Sequence, residues 1–182
     1  LSGELATLLS GRYVEIKMLP LSFKEYLSAF DSNEKSRYEY FLDYMRNGGM
    51  PGNIHILKDN PNDLDDYLEG ILSTVIYKDI IVRNNISDKM LLDSILKFVF
   101  DSIGSNISTK KISDTLNSKG MTTSNHTVEN YLSAFMDSFL IYKVERFDVK
   151  GKNLLARDYK YYVADQGLRS YLLGKKAGSN MG

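Results

Sequence analysis

The sequence predicts a mainly α protein with a small β-hairpin, in which a helical region is followed by a winged helix-turn-helix. Three observations carry this expectation. Apolar residues recur at helical spacing over much of the chain, most regularly at residues 64–76 and 89–135. Serine, threonine and glycine stand where those stretches start and stop. Two runs rich in strand formers, Leu140–Phe147 and Leu154–Val163, flank a short polar turn near the end.

The elements follow in order. Leu1, Leu5 and Leu8 or Leu9 share one helical face, and Gly11 stops it, so residues 1–10 read as the end of a helix. The chain begins at Leu1 inside that pattern, without Met, and reads as a fragment of a longer protein. Tyr13–Leu19 alternates its side chains and reads as a strand, ended by Pro20, which has no N–H for a ladder. Ser22 with Glu25 is a capping box, so a helix starts at Phe23. Tyr38–Arg46 is a second helix with Tyr40, Phe41, Tyr44 and Met45 on its apolar side, broken by Gly48-Gly49-Met50-Pro51-Gly52. After Asn60-Pro61, Asn62 or Asp63 caps a longer helix through Leu64, Leu68, Ile71, Leu72, Val75 and Ile76.

The second half has a sharper order. Lys89–Ile103 is a helix with Leu91, Leu92, Ile95, Leu96, Val99 and Phe100 facing inward, stopped by Gly104. Ser108 caps a short helix with Ile112 and Leu116 inward, and Gly120 ends it. A third helix, capped by Thr123 or Ser124, places Val128, Leu132 and Phe135 at i, i+4 and i+7. The two strands then pair through the turn Asp148–Asn153. Helix, short helix, turn, helix and hairpin is the order of a winged helix. Its third helix is the one that enters a major groove.

Composition narrows the chemistry. The 182 residues carry 23 basic and 23 acidic side chains and no cysteine. A disulfide framework, a thiolate metal site and a cysteine nucleophile are thereby excluded. His55 and His126 are too few for an imidazole metal cluster, so no metal site is expected. No run approaches the roughly 20 apolar residues that cross a bilayer, so a soluble, cytoplasmic protein with no membrane partner is expected. The zero net charge hides an asymmetry. Residues 1–75 hold 7 basic and 12 acidic residues, and residues 76–182 hold 16 and 11. A basic second part fits a nucleic-acid-facing region, as it also fits two ordinary solvated surfaces.

The candidate contacts lie in that basic part. Ser124, Asn125, Thr127 and Asn130 sit at the start and outer side of the third helix, where such side chains reach bases or phosphates. Lys110 and Lys111 precede them, and Lys150, Lys152 and Arg157 lie on or beside the wing. Together they make a positive surface suited to double-stranded DNA. The alternative is a winged helix that binds a protein partner or a second copy, with an apolar patch on the third helix. Most of the 13 tyrosines stand at apolar positions and read as core. Asp65 and Asp66 point to different helix faces. Glu39 and Asp43 share a face but read as solvated, so no catalytic pair is expected. The sequence contains no Gly-x-x-x-x-Gly-Lys-Ser/Thr, hence no phosphate cradle.

Leu9-Ser-Gly-Arg-Tyr13, Leu19-Pro-Leu-Ser-Phe-Lys-Glu25, Gly48-Gly-Met-Pro51, Asp79-Ile-Ile-Val-Arg83 and Lys160-Tyr-Tyr-Val-Ala-Asp165-Gln-Gly-Leu168 together form a pattern. It resembles the prokaryotic AAA-type P-loop ATPases that carry a C-terminal domain of uncharacterised function. The resemblance implies that residues 1–20 end an ATPase core, 21–83 form a helical lid, 84–172 a winged-helix domain and 173–182 a linker. It places the ATP- and Mg-binding segments before Leu1 and a nuclease-like domain after Gly182. It implies that Arg12 senses nucleotide phosphate, although a bare helix-capping role is as compatible with its position. Asp165 reads as a hydrogen-bonding residue joining the wing to the following domain, with a catalytic carboxylate as the alternative.

Overall fold

The computed structural model describes residues 16–30, 34–145 and 159–174. It is mainly helical with a small antiparallel sheet. Helix α1 (Phe23–Ser28) and helix α2 (Arg37–Asn47) each begin in a complete capping box, Ser22 with Glu25 and Ser36 with Glu39. The boxes satisfy amide groups that a helix start leaves unpaired. Between these helices Tyr26, Phe30, Tyr40 and Tyr44 stack, with Tyr26–Phe30 centroids 4.9 Å apart and Tyr26–Tyr44 5.3 Å apart.

Helix α3 (Pro51–Asp59) was not legible in the Gly-rich turn. Pro51 occupies its first turn, where the missing N–H has no partner to lose. A 3-10 turn (Pro61–Asp63), capped by Asn60, leads into α4 (Leu64–Thr74). Of the two expected caps, Asp63 and not Asn62 holds the N-cap position of α4, though its side chain makes no cap bond there, and Asn60 caps the 3-10 turn before it. The chain then winds as a π-helix over Val75–Val82.

Helix α5 (Lys89–Asp101), capped by Asp88, is the centre of the core. All six of its expected inward residues are buried, and Ile95, Leu96, Val99 and Phe100 are completely enclosed. Burying each such side chain contributes about 1.5–3 kcal/mol. Against α5 pack Ile112 and Leu116 of α6 (Thr109–Ser118) and Val128, Leu132 and Phe135 of α7 (Asn125–Asp137). Helices α6 and α7 are capped by Ser108 and Ser124.

The sheet has three strands in the order β1-β3-β2, where β1 is Asn106–Ile107, β2 Ile141–Val144 and β3 Tyr159–Val163. The expected hairpin is present as the β2–β3 pair, with Tyr142 opposite Tyr162. The two-residue strand β1 is too short for alternation to reveal. The expected turn Asp148–Asn153 and the helix at residues 1–10 lie outside the described residues. Ile16–Leu19, the described part of the expected first strand, pairs with none of the described strands, and Ile16 and Met18 are 80% and 87% exposed. Alternation alone does not make a strand, because a strand needs a neighbour to bond. After β3 the chain forms helix α8 (Gln166–Leu173), in the region expected to be the end of the winged domain. Among the described residues no helix is long and apolar enough to cross a membrane.

Candidate functional site

Two regions carry the functional questions. The first is the start of α7 with the α6 turn beside it. Val128, Tyr131, Leu132 and Phe135 bury one side of α7, which leaves Asn125, His126, Glu129, Asn130 and Ser133 exposed on the other. The opposed face is polar because the 3.6-residue repeat of α7 confines its apolar residues to one stripe.

The six described candidate residues converge here. Lys110 and Lys111 are exposed in the first turn of α6. The Ser113 hydroxyl lies between the Lys110 carbonyl at 3.0 Å and Asn125 Oδ1, so it ties the α6 turn to the α7 start. Asn125 is thereby positioned from behind, with its residue exposed in front. Ser124 is committed to structure: its Oγ accepts from the Thr127 N–H at 3.1 Å and lies 2.9 Å from Thr127 Oγ1. Thr127 is half-buried, and Asn130 is exposed with its amide 3.3 Å from His126 Nδ1. His126 thus stands as a first-turn residue of α7. Glu129 sits on the same side and accepts from Thr109 Oγ1 at 3.4 Å, adding a negative charge to the face. Arg12, Lys150, Lys152 and Arg157 lie outside the described residues.

The second region is a junction across 116 positions of sequence. Asp165 caps α8 and is 4% exposed. Its Oδ1 accepts from the Leu168 N–H at 3.0 Å and its Oδ2 from the Gly49 N–H at 2.6 Å. Burial pushes the carboxyl up from its ordinary value, against the lowering pull of the Gly49, Leu168 and Gly167 amides. Three glycines make the approach possible. A Cβ on Gly48 would lie 2.2 Å from Asp165 Oδ1, one on Gly49 2.2 Å from the Leu21 carbonyl, and one on Gly167 2.1 Å from the Asn47 carbonyl. Gly48 also has φ +81°, which side chains disfavour. Asp165 therefore joins the segment after the sheet, where it caps α8, back to the preceding helical region at Gly49. A glycine pair and a lone aspartate in the sequence do not disclose that they meet.

Tyr26, Tyr40, Tyr131 and Tyr161 are core, whereas Tyr38, Tyr77, Tyr142 and Tyr162 are exposed. Asp43 is not merely solvated, since it pairs with Lys35 Nζ at 2.7 Å, and Glu39 serves the α2 cap. A groove of about 900 Å³ lies between α1–α2, α4 and α8. Its rim alternates Lys35, Arg46 and Lys58 with Glu34, Asp43 and Asp65, so it presents no net field of one sign. Among the described residues no group of three or more His, Asp or Glu can hold a metal ion.

Residues 38–179 match a family described as a domain of unknown function, DUF8612. The chain belongs to this family. It is similar to an uncharacterised protein of Haemophilus influenzae, 42% identical over 178 residues, covering 97% of this chain and 44% of the relative. It is also similar to the uncharacterised protein MJ1544 of Methanocaldococcus jannaschii, 30% identical over 174 residues, covering 91% of this chain and 38% of the relative. The chain thus spans less than half the length of the curated relatives it matches. No solved structure matches it significantly. The DUF8612 match takes in both the α6–α7 face and the Asp165 junction.

Proposed function

We propose that this chain is the lid and winged-helix part of a prokaryotic AAA-type ATPase, and that its α6–α7 unit contacts double-stranded DNA. The element order α5-β1-α6-α7-β2-β3 with sheet order β1-β3-β2 supports the winged-helix reading. The observation that carries the DNA reading is the polar outer side of α7, with exposed Lys110 and Lys111 one turn from Asn125. In this reading Lys110 and Lys111 neutralise phosphates, which gives affinity and salt dependence. Asn125 and Asn130 supply amides of the type that pair with adenine edges.

Coupling to nucleotide state is the second half of the proposal. The Asp165 junction supports it, because one carboxyl bonds both the Gly49 N–H and the Leu168 N–H and so ties that turn to the start of α8. The nucleotide itself is a property of the longer protein. This chain has no phosphate-cradling glycine loop, and Arg12 is its candidate phosphate-sensing group.

The rival reading, a winged helix that binds a protein partner or a second copy, calls for an apolar patch on α7. The polar exposed side of α7 favours DNA instead. Electrophoretic titration with duplex DNA at two salt concentrations tests the choice. Binding that weakens as salt rises is expected; absence of salt-sensitive binding, with a stable oligomer in light scattering, would favour the rival.

A further inference from the structure

We propose that the open face of the three-stranded sheet is a stacking site for unpaired nucleotides of a single-stranded nucleic acid. The proposal rests on the nucleic-acid reading above but concerns a different surface and a different ligand. Strand register sets the composition of that face. Tyr142 lies opposite Tyr162, and Lys160 lies opposite both Val144 and Asn106. Side chains alternate along each strand, so these five residues share one face. Ile107, Ile141 and Tyr161 are buried on the other.

A gap lies beside the Tyr162 ring. The Gly104 N–H donates to the Tyr161 carbonyl at 3.0 Å from the turn that precedes β1, where Gly104 has φ +74°. Among the described residues, a Cβ on Gly104 would meet only Tyr162 Cε1, at 3.8 Å. Tyr142 stands across from Tyr162, and among the described residues no side chain stands at Gly104 against the Tyr162 ring edge. A planar base fits such a gap against the ring.

Charge and area choose the ligand. Among the described residues of this face Lys160 is the charged one, and no carboxylate stands there. Glu145 is engaged with Lys143 at 3.7 Å, on the opposite alternation. Aromatic rings beside a cation without acids suit a phosphodiester strand. Tyr142, Tyr162 and Val144 are 36%, 42% and 46% exposed. Three side chains already more than half covered offer far less than the roughly 800 Å² per partner of a stable protein interface. Bases in a duplex are stacked on each other, so only an unpaired strand presents free ring faces.

The test is fluorescence anisotropy of labelled oligothymidine and of labelled duplex DNA with the full chain. Tyr162→Ala and Tyr142→Ala are each expected to weaken oligothymidine binding about tenfold, in line with the loss of one stacking partner. Tyr162→Phe keeps the ring and retains binding, which separates stacking from a folding defect. Duplex binding is unchanged by the tyrosine variants and weakened by Lys110→Ala with Lys111→Ala. Oligothymidine affinity indifferent to Tyr162→Ala, or no oligothymidine binding at all, overturns the inference and leaves the duplex reading standing. An oligomer in light scattering that Tyr162→Ala dissolves also overturns it, by showing a protein interface. Loss of salt-sensitive binding to both probes sinks the nucleic-acid reading itself.

Discussion

Replacing Gly48 by alanine probes the junction between the two parts of the fold. Two effects add at this position. An L side chain at φ +81° and ψ −176°, a region essentially reserved for glycine, costs about 1–3 kcal/mol. The new Cβ would also stand 2.2 Å from Asp165 Oδ1 and 2.6 Å from the Gly167 nitrogen, so the carboxylate must leave its place. Disturbing a hydrogen bond to a charged group costs roughly 1.5–3 kcal/mol. The sum is about 2.5–6 kcal/mol, a large share of the 5–15 kcal/mol typical of a folded domain. Gly120 supplies the control, since it has φ +83° and nothing within 4 Å of an added Cβ. Gly120→Ala is expected to cost only the conformational part, about 1–2 kcal/mol. Urea denaturation followed by circular dichroism measures both variants. Equal destabilisation, within about 0.5 kcal/mol, would refute the packing of Gly48 against Asp165.

Other perturbations have equally definite outcomes. Asp165→Asn tests the raised carboxyl. The folded state binds that proton more readily than the unfolded chain, so the carboxyl's contribution is full below the ordinary aspartate value and is lost as pH rises through the folded one. The stability margin of wild type over Asp165→Asn should therefore shrink as pH rises through that window, measured by urea denaturation across pH; a margin that grows would contradict the assignment. Ser36→Ala removes the α2 capping box and should cost about 1 kcal/mol in thermal unfolding. Phe100→Ala empties the completely enclosed centre of α5 and should cost about 3–5 kcal/mol in the same assay.

Helices with strong caps and strict apolar spacing were legible in the sequence. Ser22, Ser36, Ser108 and Ser124 cap α1, α2, α6 and α7. Ser22, Ser108 and Ser124 can be read directly, and every inward residue of α5 follows from periodicity. Helices α3 and α8 were hidden for different reasons. Pro51 and Gly52 read as breakers, although proline is welcome in a first turn. Gln166–Leu173 spans only eight residues, too short for a period to emerge. Strand β1 owes its existence to pairing with Tyr159 and Lys160, a long-range fact that no local pattern encodes. The same limit explains the site. The caps of α6 and α7 and the candidate residues beside them are local. The meeting of Gly49 with Asp165, and the glycine gap beside Tyr162, depend on register and topology.

The central claim is that Lys110 and Lys111 face the phosphates of a DNA duplex. The most direct measurement is the slope of log affinity against log salt for duplex binding, in wild type and in Lys110→Ala with Lys111→Ala. Each phosphate contact contributes about 0.9 to that slope. Weaker binding in the double variant and a slope shallower by about 1.8 are expected. An unchanged slope and affinity would contradict it.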